Sequence, residues 1–203
     1  MKRFFMGLML MVAALAAHAD APRLRFLGSV AYGWGGDQLI NGAYTNGTSF
    51  ELLAGTGWTW TVGADLRLFK GFHLQTSVGQ QRNRVTAANG DFNFQRTPVE
   101  FMGFISATEQ LRFGLGLHKT FGAKLTGTEA AYGWTGTGSY ETSLGGVFEV
   151  QYLFWPPSQS ERAAVWGMNF RYIHENFTLS AADGGTGEAK SGDQMVVGLV
   201  FYY

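Results

Sequence analysis

The sequence predicts an all-β protein: an eight-stranded antiparallel up-and-down transmembrane β-barrel with a side-chain-filled lumen. Three observations carry this expectation. Apolar residues recur at every second position over eight separate stretches. The links between the stretches alternate strictly, short and then long and polar. Aromatic residues gather near the ends of the apolar faces, where a bilayer interface would lie: Trp34, Trp58, Trp60 and Trp155.

The first stretch, LRFLGSVAYGW, sets Leu24, Phe26, Gly28, Val30, Tyr32 and Trp34 against Arg25, Leu27, Ser29, Ala31 and Gly33. The second, WTWTVGADLRLF, sets Trp58, Trp60, Val62, Ala64, Leu66 and Leu68 against Thr59, Thr61, Gly63, Asp65 and Arg67. FHLQTSVGQ opposes Phe72, Leu74, Thr76 and Val78 to His73, Gln75 and Ser77. In VEFMGFIS both faces are apolar. Placing Val99, Phe101, Gly103 and Ile105 outward keeps Glu100 with the other charges; Met102 and Phe104 argue against that facing, and a bulge here would be no surprise.

LRFGLGLH, SLGGVFEVQYLF and AAVWGMNFRYIH alternate in the same way, with Arg112, His118, Glu149, Gln151, Asn169 and Arg171 on their polar faces. The last stretch is MVVGLVFYY, with Met195, Val197, Leu199, Phe201 and Tyr203 on one side. Lys70-Gly71, residues 107–110 and residues 156–162 are the short links. Residues 35–50, 82–94, 119–140 and 175–193 read as long, Gly-rich polar loops. A soluble barrel with its apolar face inward is the competing architecture. The polar faces are rich in Gly, Ser and Thr and thin in Lys and Glu, which suits a lumen better than a solvated exterior.

With the apolar face in lipid, Arg25, Asp65, Arg67, His73, Glu100, Arg112, His118, Glu149 and Arg171 form a polar network in the lumen. Eight strands leave only enough interior for side chains to fill. Unpaired charges there would be costly. The expectation is a plugged interior and no open diffusion pore.

The beginning of the chain reads differently. Lys2 and Arg3, an apolar run and Ala17-His18-Ala19 have the pattern of a secretory signal peptide over residues 1–19, leaving one barrel domain over 20–203. Without Lys2 and Arg3 the chain carries 13 basic and 15 acidic side chains, a formal charge of −2 that gives no footing for nucleic acid. There is no cysteine, hence no disulfide framework.

The ending resembles the C-terminal signal of Gram-negative outer-membrane barrels: Gly198, then apolar residues at alternate positions through Phe201 to Tyr203. The family most often ends in Phe and carries a polar residue where Val196 stands. Over residues 24–203 the pattern looks like the small porin-family barrels of the OmpX and OmpA membrane-domain type. The resemblance implies an outer-membrane monomer, with loops outside and both termini periplasmic. It implies outer-membrane lipid and lipopolysaccharide as surroundings, and the barrel-insertion machinery as a partner during assembly. Roles in envelope integrity, lipopolysaccharide contact or adhesion fit such a barrel, although the fold is nearly silent on activity.

Neither cofactor nor metal is expected. His73 and His118 lie on non-adjacent strands, a poor arrangement for a shared metal. Tyr132, Trp134 and the segment Asp183–Gly187 read as rim and loop, and Glu129, Glu141, Glu175 and Glu188 as loop carboxylates. One enzymatic alternative exists. FRYIHENFTLS resembles the segment of outer-membrane lipid A deacylases in which a His precedes a nucleophilic Ser by two residues, with a Glu downstream. The matching positions are His174 and Glu188. The Ser position holds Asn176, whose amide cannot serve as the activated nucleophile.

Overall fold

The structure, a computed structural model, describes residues 23–43, 49–87, 90–127, 136–154 and 164–203. The signal-like residues 1–19, Trp155, Tyr132 and Trp134 lie outside the described residues. The strands are β1 (Arg23–Gly35), β2 (Gln38–Ala43), β3 (Ser49–Leu53), β4 (Gly57–Phe69), β5 (Phe72–Ala87), β6 (Gly90–Ser106), β7 (Leu111–Gly127), β8 (Gly136–Thr142), β9 (Leu144–Leu153), β10 (Val165–His174), β11 (Asn176–Leu179), β12 (Ala189–Ser191) and β13 (Gln194–Tyr202). Among the described residues a 3-10 turn spans Ala181–Asp183.

Eight of these close on themselves in the order β1-β4-β5-β6-β7-β9-β10-β13, every pair antiparallel. The seam joins the first strand to the last, from Leu27 opposite Tyr202 to Gly35 opposite Gln194. The C-terminal strand therefore has both edges paired, and its backbone groups need neither water nor a partner chain.

The facing follows the sequence alternation. Leu24, Phe26, Val30, Tyr32, Trp34, Trp58, Trp60, Val62, Phe113, Leu115 and Leu117 are exposed on the outer surface, as are the alternate residues Met195 to Tyr203. Tyr32 meets Trp58 edge-on at one end of this apolar belt. At the other end Trp166 stacks on Phe201, and Phe154 meets Trp166 edge-on. Such paired aromatic rims are what a bilayer's two interfaces select.

In β6 the facing is as the charges require: Val99, Phe101 and Ile105 are outside, while Glu100, Met102 and Phe104 are inside. No bulge interrupts this stretch. The β5–β6 register runs unbroken from Val78↔Val99 to Phe72↔Ile105. The break falls higher, where Gln95 and Thr97 pair with Lys124 and Phe121, so that β7 has one residue too many. Gly122 absorbs it at φ 59°, a left-handed value that glycine adopts without penalty.

The long loops are also less loop-like than their composition suggests. Residues 82–87 and 90–94 continue β5 and β6, residues 119–127 continue β7, and β2–β3 form a hairpin of their own. Three staves jog at their upper ends: β8 precedes β9 across Ser143, β11 follows β10 across Glu175, and β12 precedes β13 across Gly192-Asp193. A crown of strands thus rises beyond the apolar belt. Its interior is apolar, built from Leu52, Ala54, Phe92, Phe94, Ala123, Leu125 and Phe177.

Candidate functional site

Inside the belt the lumen is filled. At its upper level Arg96, 1% exposed, is the centre of a buried cluster. Its Nη1 lies 3.0 Å from Glu175 Oε1, its Nε and Nη2 lie 3.1 and 2.8 Å from Gln81 Oε1, and Nη2 also reaches Gln194 Oε1 at 3.2 Å. The guanidinium lies against the rings of Phe177 and Phe94, at 5.0 and 5.7 Å from their centroids, and so forms the floor of the crown.

His118 links this cluster to the next. Its Nδ1 is 2.8 Å from Glu100 Oε1, and its Nε2 is 3.2 Å from Thr120 Oγ1 and 3.4 Å from Glu175 Oε1. Arg171 donates to Glu100 and lies 3.1 Å from Glu149 Oε2 through Nε. Glu149 accepts from Gln151 at 2.7 Å and Asn169 at 2.9 Å. The Tyr202 hydroxyl then lies 2.7 Å from Gln151 Oε1 and 3.1 Å from Gln75 Oε1. Near the lower mouth Asp65 receives Arg112 at 2.8 Å and His73 at 3.0 Å. Arg25 and Arg67 line the cleft at that mouth, beside this pair.

Apolar layers separate the polar ones. Ala31, Met102, Phe104, Val147, Ile173 and Val196 make one, and Leu27, Leu153, Val165, Val200 and Tyr202 another. Phe104 lies flat over Gly114, where a Cβ would come within 2.4 Å of its ring, so only glycine leaves room for that plug. Arg112 stacks over Phe104 at 4.9 Å and Tyr202 at 5.2 Å. Coulomb attraction in so dry a space is strong only because each charge has its partner within hydrogen-bond reach. The arrangement fills the lumen with paired and packed side chains.

No protein-family model matches the chain, and no curated protein matches it significantly. Solved structures do. Ail, the attachment invasion locus protein of Yersinia pestis, in complex with the heparin analogue sucrose octasulfate, aligns over 89% of this chain and 99% of its own, with 14% identity and a TM-score of 0.50. Neisserial surface protein A aligns over 89% and 98%, with 12% identity and a TM-score of 0.48. The outer-membrane protein AlkL, solved in DMPC lipid bilayers, aligns over 91% and 92%, with 10% identity and a TM-score of 0.46. The chain is an eight-stranded barrel of the outer-membrane type.

Several lumen residues of this barrel escape the sequence reading. Gln81, Arg96 and Gln194 fall outside the stretches read as strands, and Tyr202 sits in the terminal stretch as the unremarked inward partner of Phe201. Glu175, read as a loop carboxylate, is fully buried under Arg96. The signal was available for Arg96: it shares parity with Glu100, Met102 and Phe104, so extending β6 upward puts it inside.

The rim also differs from expectation. His174 is exposed at the upper edge of β10, and its Nδ1 is 2.7 Å from Asp193 Oδ1, while the Tyr172 hydroxyl donates to Asp193 Oδ2 at 2.9 Å. Glu188 is not its partner; it holds Lys190 at 2.9 Å and raises that ammonium's pKa through the hydrogen bond. The register explains this. Ile173 pairs with Gln194, so the next residue of β10 meets Asp193, and Glu188 lies beyond the jog. Asn176 stands in the serine position and donates its backbone N–H to Ser143 Oγ at 2.9 Å. Among the described residues no serine or threonine hydroxyl hydrogen-bonds to His174, so the geometry offers a base and its orienter without a nucleophile.

On the outer face of the crown, Arg84 is paired with Asp91. Hydrogen bonds from Arg84 and Thr86 hold the Asp91 carboxyl below its usual pKa. Among the described residues no group of three His, Asp or Glu side chains is placed to hold a metal ion.

Proposed function

We propose that this chain is a monomeric surface barrel of the Gram-negative outer membrane that acts through its outer face and crown rather than through its lumen. The single observation that carries the reading is the filled interior. From Arg96 down to Asp65 and Arg112, buried ion pairs and packed rings occupy the space a solute would need. What remains for interaction is the outside: envelope integrity, lipopolysaccharide contact or adhesion. Ail is an attachment invasion locus protein solved with a heparin analogue, and that supports testing adhesion here.

In this reading the crown is extracellular and both termini are periplasmic. The support is its polar exterior over an apolar interior, the pattern of strands standing in water, whereas the opposite end carries short links such as Lys70-Gly71. Residues 1–19 act as the export signal, and Gly198, Phe201 and Tyr203 as the address read by the barrel-insertion machinery.

Reconstitution into planar bilayers tests the closed lumen. The expected result is a silent membrane, with a folded protein shown by heat-modifiable migration on a detergent gel. Steady, ohmic conductance steps from the folded protein would overturn the reading.

A further inference from the structure

The outward side chains just above the apolar belt are not evenly distributed around the barrel. Cations gather on the sector of β5 to β7, with Arg82 and Arg84 on β5 and Lys119 and Lys124 on β7. The opposite sector presents Asp193, Tyr172 and His174 at its rim, with Asp37 hydrogen-bonded to the backbone of Ser191 beside them.

Register puts part of the basic sector into one row. Trp58 of β4 is opposite Arg82 of β5, Arg82 is opposite Gln95 of β6, Gln95 is opposite Lys124 of β7, and Lys124 is opposite Ser139 of β8. All five point outward, because the bulge at Gly122 shifts Lys124 to the outer face while Ala123 and Leu125 turn in. Strands lie about 4.8 Å apart, so Arg82 and Lys124 stand about 10 Å apart with the Gln95 amide between them.

Neither Arg82 nor Lys124 forms an ion pair with another described residue, whereas Arg84 is held by Asp91, and Lys119 donates to the Thr142 carbonyl. Glu141, on the same face of β8, forms no ion pair with Lys124, and the Asp183 carboxylate accepts from the Ser139 backbone N–H at 2.8 Å. Four residues down β5, Val62, Val78 and Val99 form an apolar row on β4, β5 and β6, which Lys119 ends on β7. At about 3.3 Å per residue that row lies about 13 Å lower.

We propose that the row Arg82–Gln95–Lys124 is a binding site for a phosphate of the anionic glycolipid of the outer leaflet, whose acyl chains lie on the valine row below. The guanidinium, amide NH2 and ammonium stand in one outward row and offer hydrogen-bond donors to a single anion. The Ser139 hydroxyl adds a fourth, and the exposed Trp58 ring marks the interface depth at which a headgroup sits. The row serves an outer-leaflet lipid only if the crown is extracellular, so the inference rests on the function proposed above.

The test uses the full-length mature barrel in nonionic detergent. Binding of bisphosphorylated lipid A, of the same lipid A with its phosphates removed, and of phosphatidylglycerol is measured by native mass spectrometry. The variants are Arg82→Gln/Lys124→Gln together, and Lys190→Gln as a cation lost elsewhere. Heat-modifiable migration confirms that each is folded. The expected result is preferential binding of the phosphorylated lipid A, reduced about tenfold or more by the double substitution and unchanged by Lys190→Gln.

Equal binding of phosphorylated and dephosphorylated lipid A overturns the inference. So does equal binding of phosphatidylglycerol, or a double variant that binds like the native protein. The variant Thr186→Cys, labelled by a membrane-impermeant reagent in intact cells, separates this failure from failure of the parent reading. Labelling without selective lipid binding removes the site alone. Labelling only after the outer membrane is broken removes the orientation, and the outer-leaflet site with it.

Discussion

The belt and the crown of this barrel obey opposite rules on the same strands. In the lower half of β6 the outward residues are Val99, Phe101 and Ile105, and the inward ones include Glu100. In the upper half Asn93, Gln95 and Thr97 face outward, and Phe92 and Phe94 face inward. β7 changes in the same way, from Leu115 outside and His118 inside to Lys124 outside and Leu125 inside. The strand period is unchanged; the solvent is what differs. Lipid rewards an apolar exterior and leaves polar groups to pair within, while water drives apolar groups inward. Arg96 sits at the boundary, ion-paired downward to Glu175 and covered from above by the rings of Phe94 and Phe177.

The hardest test of that boundary is Arg96→Ala. It leaves Glu175 buried without its guanidinium and removes the floor of the crown. A loss of about 3–5 kcal/mol in unfolding free energy is expected, read by urea titration in lipid vesicles. A loss below about 1 kcal/mol would mean that the two regions are independent.

The next is a charge placed on each exterior. Leu115→Arg, on a side chain 71% exposed in mid-belt, should cost about 2–4 kcal/mol in a bilayer. Ser139→Arg, outward on the crown, should leave the same measurement within about 0.5 kcal/mol. Equal costs would show that the crown, too, stands in lipid.

Gly122→Val probes the bulge that turns β7 from one pattern to the other. A β-branched residue at φ 59° is expected to cost about 1–2 kcal/mol. Gly122→Asn, which tolerates the left-handed region, should cost less. A Val variant as stable as the native protein would show that the bulge can migrate.

The smallest effect concerns Asp91 on the crown hairpin. Its carboxyl is held below the usual range, so the contact with Arg84 contributes fully above the unfolded-state pKa of about 3.9 and is lost as pH falls through the lower, folded-state value. The protection factors of the amides of residues 84–87 and 90–91, corrected for intrinsic exchange, should therefore fall at acid pH in the native protein. In Asp91→Asn they should be low at every pH. A native hairpin indifferent to acid would remove this contact from the account.

The belt was legible in the sequence because lipid enforces period two on the outer face, and the inward charges followed from parity. Asp65, Glu100, Arg112, His118, Glu149 and Arg171 are all buried. The crown was not legible. Its inverted pattern, broken by a bulge and three jogs, reads as polar Gly-rich loop, so Arg96 and Gln81 fell outside the strands and Glu175 among loop acids. His174 was singled out by its neighbours in sequence, yet its partner, Asp193, is a matter of register between β10 and β13.

The sequence by itself determined the class of fold, the strands of the belt and which side chains face lipid, because each of these depends on local alternation against a uniform solvent. Only the tertiary structure decided who pairs with whom. Closure staggers the strands, and that stagger brings Arg96 to Glu175, His118 to both Glu100 and Glu175, and Arg82 into line with Lys124. These meetings are fixed by backbone hydrogen bonds between distant strands, and no local pattern in the chain encodes their register.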